Sequence, residues 1–275
     1  MHDGEESTGN NPAVVIRKRR KGIYILPNLF TLAALFGGFY AIVMAMNGRF
    51  EVACVAIFAA AILDSLDGRV ARMTNTQSAF GEQMDSLSDM VAFGAAPALI
   101  VYMWALKDMG KPGWIPAFVY IAGAALRLAR FNVNIGVVDK RYFQGLPSPA
   151  AAAMVIGFIW AVVDQRDYAG VQPGSWVPWV AYGITLFAGL SMVTNAPFYS
   201  FKVFDRRRSV PFVVLVLIML AIGVAALNPS GVLFGAFCVY GLSGYVIYAW
   251  RKAKGRPVSV ISTSTDEPDE RGLHE

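Results

Sequence analysis

Charge is scarce in this chain. Asp, Glu, Lys and Arg make up 16% of its 275 residues, against about 25% in a typical soluble domain. With a hydrophobic content of 56% and a mean hydropathy of +0.47, that shortage argues against a water-soluble globular domain. Cysteine is scarcer still. Cys54 and Cys238 both lie inside apolar stretches, where a free cysteine behaves as a small apolar side chain, and no disulfide framework is implied. The net charge of +5 does not favour a nucleic-acid partner, because the basic residues cluster at the ends of apolar stretches, where they meet anionic lipid head groups.

What the chain does have is long apolar runs. A bilayer-spanning helix needs about 20 mainly apolar residues. Eight stretches approach that length: Leu26–Met46, Phe50–Leu66, Leu87–Leu106, Trp114–Asn134, Pro149–Val163, Trp176–Ala196, Val210–Leu227 and Val232–Trp250. The fifth is the shortest. The fold expected is therefore an all-α integral membrane protein with about eight transmembrane helices. The basic run Arg17–Lys21 before an apolar stretch is also a feature of secretory leaders. Here the stretch is too long, Pro27-Asn28 opens it, and no small-residue cleavage site follows, so it reads as a retained first span. Residues 1–13 and 257–275 lack apolar periodicity and read as disordered tails.

Lys and Arg favour the cytoplasmic side of short loops. With the N-terminus in the cytoplasm and eight spans, Arg49, Lys107, Lys111 and Arg166 fall outside, and the remaining basic residues of the 24 fall inside. The clusters Arg17–Lys21, Lys140-Arg141, Arg206–Arg208 and Arg251–Arg256 all land inside. The expected location is the cell membrane, with the functional end facing the cytoplasm.

Acidic residues at a membrane span are costly and usually functional. Four fall within one segment, DSLDGRVARMTNTQSAFGEQMDSLSD. Asp64 and Asp67, at i and i+3, share a helix face at the end of the second span. Asp85 and Asp89, at i and i+4, share a face at the start of the third. A polar connector, Met73–Phe80, makes an antiparallel hairpin that brings both pairs to one depth at the cytoplasmic boundary. Four facing carboxylates repel unless cations separate them. An all-oxygen ligand set with no His or Cys nearby suits hard divalent ions, Mg²⁺ or Mn²⁺, and four carboxylates suffice for a two-ion clamp. Gly68, Ala71 and Gly81 are small enough for close approach, and Arg72 offers a fork for phosphate oxygens. The alternative is that these are boundary charges paired with Arg69 and Arg72.

The ordered set Asp64-x2-Asp67-Gly68-x2-Ala71-Arg72-x8-Gly81-x3-Asp85-x3-Asp89 resembles the complete signature of the CDP-alcohol phosphotransferase family. The resemblance implies a six-helix catalytic core, transfer of a phosphatidyl-type group from a CDP-linked donor to an alcohol, and release of CMP. It implies that Asp64 and Asp85 bridge two metal ions, that Asp67 completes the first site, and that Asp89 completes the second and serves as general base. It places Gly68, Arg72 and Ser78 on the CDP part of the donor, with Asp67, Ala71 and Gly81 beside them. Asn28 and Thr31, in the Pro-Asn-x-x-Thr stretch opening span one, look like a further nucleotide element; they equally fit a helix start after Pro27. A homodimer is also implied. On this reading residues 1–22 are a basic cytoplasmic segment, 23–200 the catalytic core, 201–256 additional transmembrane helices and 257–275 a tail.

The stretches LPNLFTLAALFGGFYAI, SDMVAFGAAPA, LRLARFNV and FQGLPSPAAA look like the bacterial and archaeal membrane-type phosphatidylserine synthases. That likeness covers most of residues 23–160. It implies CDP-diacylglycerol as donor and L-serine as acceptor. Serine carries a carboxylate and an ammonium. Arg127 and Arg130, at i and i+3 near the cytoplasmic end of span four, with Asn134 at i+7, put two guanidinium groups near the depth of the carboxylates; one Arg grips a carboxylate with two hydrogen bonds. Gln144 and Ser148 follow in the connector. The arginines alternatively reach lipid phosphates or hold the donor's phosphate. Competing readings are the same chemistry on glycerol-3-phosphate, inositol phosphate or choline, a cation transporter using the acidic cluster, and a scaffold. Transporter charges sit nearer the bilayer midplane.

Overall fold

The structure is a computed structural model that describes residues 25–74, 76, 78–133, 142–165, 170–171, 175–199 and 212–254. Both tails, Asn134, Arg166 and the basic clusters at 17–21, 140–141 and 206–208 lie outside the described residues.

The elements run α1 (Ile25–Met46), α2 (Phe50–Thr74), α3 (Ala79–Asp89), α4 (Ala96–Val101), α5 (Trp114–Val133), β1 (Tyr142–Gln144), α6 (Ser148–Val163), α7 (Val177–Val193), β2 (Pro197–Tyr199), α8 (Phe212–Leu227) and α9 (Pro229–Ala253). Every expected apolar stretch carries a helix. Among the described residues, four helical stretches are long and apolar enough to cross a membrane unaided: Pro27–Met46, Ala79–Met109, Lys111–Val133 and Pro229–Ala253. Ser148–Val163 and Val177–Val193 are apolar but shorter. Helix α2 has the length, 25 residues, but carries the charges of the acidic segment. The chain is a multi-pass membrane protein.

The third span differs from its expected bounds. Its helix starts at Ala79, not Leu87, with Ser78 as N-cap accepting from the Gly81 backbone N–H at 3.1 Å. Helix α2 likewise runs past Leu66 to Thr74. Both extensions are polar, so hydropathy alone does not reveal them. As a result the four aspartates lie well inside continuous helices and not at their ends.

From Ala79 the helix continues to Met109 through two π-helical segments, Met90–Ala95 and Tyr102–Leu106. Pro97 explains the first. A proline inside a helix cannot donate to the carbonyl four residues back and its ring clashes with it; that carbonyl belongs to Phe93. Local widening to a π turn relieves the clash. The hydroxyl of the buried Tyr120, on α5, donates to Phe93 O at 2.9 Å, so the carbonyl stays satisfied away from water.

Small residues set the helix spacing, as expected where apolar lipid gives helices no hydrophobic drive to associate. A Cβ on Gly38 of α1 would stand 2.6 Å from Ala92 Cα, and one on Gly123 of α5 would stand 2.4 Å from Gly189 O of α7. At the centre is α6, buried continuously from Ala150 to Ile159. Helix α9 packs against it, Gly157 facing Phe234, and Tyr245 of α9 shares a 2.7 Å hydrogen bond with Ser191 of α7. The two short strands pair antiparallel, Gln144 opposite Pro197 and Tyr142 opposite Tyr199. They tie the segment before α6 to the segment after α7.

Candidate active site

The antiparallel α2–α3 hairpin, with α1 laid against both, gathers the acidic residues. Carboxylate oxygens of Asp64, Asp67 and Asp85 all lie within 4.8 Å of one another. Asp89 lies one turn beyond Asp85, its carboxyl within hydrogen-bonding reach of that of Asp64. Asp89 Oδ1 is buried without a hydrogen-bond partner among the described residues. A buried carboxylate oxygen with no donor is costly, and three more carboxylates beside it add repulsion. Hard divalent cations fit this donor set, which is all oxygen and net negative.

The surroundings hold these carboxylates in place. Thr31 Oγ1 donates to Asp67 Oδ2 at 2.8 Å; its alternative acceptor, Pro27 O, is farther away at 3.2 Å. Asp67 is 6% exposed. Ser88 Oγ donates to Thr31 O at 3.1 Å, so α1, α2 and α3 are cross-linked at one level. Ser86 exchanges hydrogen bonds of 2.9 and 3.0 Å with Asn132, joining α3 to α5 between Asp85 and Asp89.

Directly above Asp67 and Asp85 opens one cleft. Asn28, Thr31, Gly68, Ala71, Arg72, Ser78 and Gly81 all line it, as do Pro27, Thr76 and Glu82. The residues expected to meet a CDP group are thus brought together. Gly68 lines this cleft, and a Cβ there would meet nothing within 4 Å, so a side chain has room without disturbing the packing. Glu82 was not anticipated, although its i, i+3 spacing to Asp85 placed it on the same face. Thr76 gave no such signal.

The proposed acceptor residues divide into two groups. Arg127 Nη1 donates to Ser148 Oγ at 2.7 Å, and its charge interacts with Asp89 and with the phenols of Tyr120 and Tyr240. Arg130 turns elsewhere, donating to Val193 O at 3.1 Å and Asn195 Oδ1 at 3.3 Å. Gln144 Nε2 also donates to Asn195 Oδ1, at 2.7 Å. The two arginines therefore do not converge on one partner. Asn195 and Tyr240 were missed, because they reach the site from segments far downstream of Arg127 and carry no local pattern.

Three kinds of group thus meet at one end of the bundle: a carboxylate cluster suited to divalent ions, a cleft lined by Arg72, and the half-buried guanidinium of Arg127 beside Asp89. Residues 24–188 match the family model described as CDP-alcohol phosphatidyltransferase. Over 225 residues, 82% of this chain and 92% of the relative, the sequence is 36% identical to a Helicobacter pylori (strain J99) protein named CDP-diacylglycerol–serine O-phosphatidyltransferase. A Mycobacterium leprae protein of the same name is 39% identical over 147 residues, 52% of this chain and 49% of the relative. Archaetidylserine synthase of Methanothermobacter thermautotrophicus is 36% identical over 143 residues, 51% of this chain and 60% of the relative.

Proposed function

The chain belongs to the CDP-alcohol phosphatidyltransferase family, and from that premise we propose that it transfers the phosphatidyl group of CDP-diacylglycerol to the hydroxyl of L-serine, giving phosphatidylserine and CMP. The observation that supports this most directly is the convergence of Asp64, Asp67 and Asp85 within 4.8 Å at the floor of a cleft lined by Gly68, Ala71, Arg72, Ser78 and Gly81. The acceptor assignment rests on the relatives named for serine transfer and on Arg127 beside Asp89.

The donor's cytidine diphosphate lies in the cleft, where Gly68 leaves room and Arg72 offers paired donors to phosphate oxygens. Asp64, Asp67, Asp85 and Asp89 would hold two divalent ions, Mg²⁺ or Mn²⁺; bound there, such ions neutralise charge on the pyrophosphate. Serine's oxygen attacks the lipid-side phosphorus in line with the departing CMP oxygen. Asp89 Oδ1, buried and unpartnered among the described residues, accepts the hydroxyl proton as the new P–O bond forms. Arg127, whose charge interacts with Asp89, holds the serine carboxylate, and Arg130 stays on Val193 O and Asn195 Oδ1. Lipid chains leave the site between helices on the membrane side, and the cleft opens toward the cytoplasm in the orientation set by the basic loops. The enzyme acts as a homodimer.

The test is CMP release by the purified protein with CDP-diacylglycerol, Mg²⁺ or Mn²⁺, and isotopically labelled serine. Label in a phosphatidylserine product supports the reading. CMP release with glycerol-3-phosphate, inositol phosphate or choline but not serine would replace the acceptor. Cation flux without CMP release would replace the enzyme with a transporter.

A further inference from the structure

Gln144 sits at a junction that the sequence alone does not reveal. Its strand β1 pairs with β2, and the turn that follows is locked. Gly145 has φ +77, and a Cβ there would stand 2.3 Å from Met192 O, so glycine is required on both counts. Gly145 N–H donates to Ala196 O and Leu146 N–H to Ser191 O, each at 3.0 Å. This clamp sets Gln144 beside Asn195. Asn195 Oδ1 accepts from both Gln144 Nε2 and Arg130 Nη1. The amide of Gln144 is thereby oriented: its nitrogen is committed, and its Oε1 is buried without a partner among the described residues.

Gln144 is linked through Asn195 to Arg130, one helical turn from Arg127, whose charge interacts with Asp89; an amide oxygen without a donor there calls for one on the substrate. The same end of the bundle carries Arg127, bonded to Ser148 in the first turn of α6, and Arg130, bonded to Asn195. Guanidinium donors and one fixed acceptor present opposite polarity across a short distance. That pattern complements a small zwitterion, with carboxylate on Arg127 and ammonium on the amide oxygen.

We propose that Gln144 accepts a hydrogen bond from the ammonium group of the acceptor, and that Asn195 is a positioning residue that fixes the Gln144 amide in the accepting orientation. The inference rests on serine as the acceptor and deepens that reading: it identifies what distinguishes an amino acid from an otherwise equal hydroxy acid. Gln144 contributes to acceptor affinity, not to the phosphoryl step.

The experiment compares L-serine with 3-hydroxypropionate, which lacks the ammonium, as substrate and as competitive inhibitor, in membranes or detergent. In Gln144→Leu the KM for serine rises about tenfold or more, as for loss of a hydrogen bond to a charged group. Its kcat and the KM for CDP-diacylglycerol change little. The preference for serine over 3-hydroxypropionate falls by the same factor. Asn195→Ala gives the same signature, and Asn195→Asp, which keeps an accepting oxygen for both Arg130 and Gln144, restores the preference. Because the readout is a ratio within one variant, a partial folding defect cancels, and Asn195→Ala carries the test if Gln144→Leu does not accumulate. An unchanged serine preference in both Gln144→Leu and Asn195→Ala overturns the proposal while the serine reaction stands. A wild-type protein that releases no CMP with serine overturns the functional reading itself.

Discussion

Thr31 on α1 donates a 2.8 Å hydrogen bond to Oδ2 of Asp67 on α2, which makes the first helix part of the carboxylate site. The Pro-Asn-x-x-Thr stretch thus serves two ends. Pro27 and Asn28 line the cleft, while Thr31 orients the carboxylate of Asp67, which we propose holds a divalent ion. Hydrogen bonds of this kind, one step removed from a metal, typically govern affinity by about 10–100-fold. Thr31→Val should raise the Mg²⁺ or Mn²⁺ concentration needed for half-maximal CMP release by about that factor, and Thr31→Ser should leave it near wild type. A metal titration of both variants measures it; equal behaviour of Val and Ser would remove the orienting role.

Asp89 should separate chemistry from binding. Its Oδ1 lacks a partner among the described residues, whereas Asp67 is held by Thr31. Asp89→Asn keeps the shape and removes the base. Loss of a positioned general base typically costs about 10²–10⁴ in rate, and loss of a metal ligand adds to it. Turnover should fall by at least that much while CDP-diacylglycerol still binds, as read by equilibrium binding of labelled donor. Near-normal turnover would exclude the assigned role.

Removing divalent cations should abolish activity reversibly. With all four carboxylates near one another and no cation, their mutual repulsion is uncompensated. Treatment with EDTA should bring CMP release to background, and adding back Mg²⁺ or Mn²⁺ should restore it. Thermal stability in detergent should also drop on chelation, since ions that bind only the folded state stabilise it by mass action. Full activity in excess chelator would sink the two-ion reading.

Two glycines from the same bundle should respond oppositely. Gly68 faces open space, so Gly68→Val should fold normally and raise the KM for CDP-diacylglycerol by filling the cleft. Gly38 faces Ala92 Cα at 2.6 Å from the position of a Cβ, so Gly38→Val forces α1 away from the π segment after α3. Overpacking of this kind costs about 1–3 kcal/mol and should appear as a lower melting temperature in detergent. A melting loss in Gly68→Val equal to that in Gly38→Val would show that the cleft is structural packing.

The sequence made the helices and the carboxylate site legible for different reasons. Apolar runs such as Leu26–Met46 declare themselves by composition. The aspartates declare themselves because an acidic residue inside such a run is rare, and because i, i+3 and i, i+4 spacings fix a common face. What stayed hidden depends on partners distant in the chain. The start of α3 at Ala79 was masked by two polar turns that look like loop until they fold over the cleft. The separation of Arg127 from Arg130 followed from Ser148 and Asn195, neither of which has a local signal pointing to an arginine. The oxygen of Gln144 gained meaning once Asn195 had claimed its nitrogen.

The contact between Tyr120 and the proline-relieved helix offers a test of why the third span bends. Pro97 leaves Phe93 O without its usual helical donor, and Tyr120 Oη supplies one at 2.9 Å. Tyr120→Phe should therefore destabilise the protein by about 1 kcal/mol, in the range measured for side-chain hydrogen bonds within membranes. Pro97→Ala restores a backbone N–H that can bond Phe93 O and removes the ring clash. In that background Tyr120→Phe should cost less, so the two substitutions couple in a double-mutant cycle read by melting in detergent. The KM for CDP-diacylglycerol should be unaffected by Tyr120→Phe, because the hydroxyl bonds backbone and does not line the cleft. Equal penalties for Tyr120→Phe in the wild-type protein and in the Pro97→Ala background would mean that the hydroxyl does not replace the missing helix bond, and the π segment would need another cause.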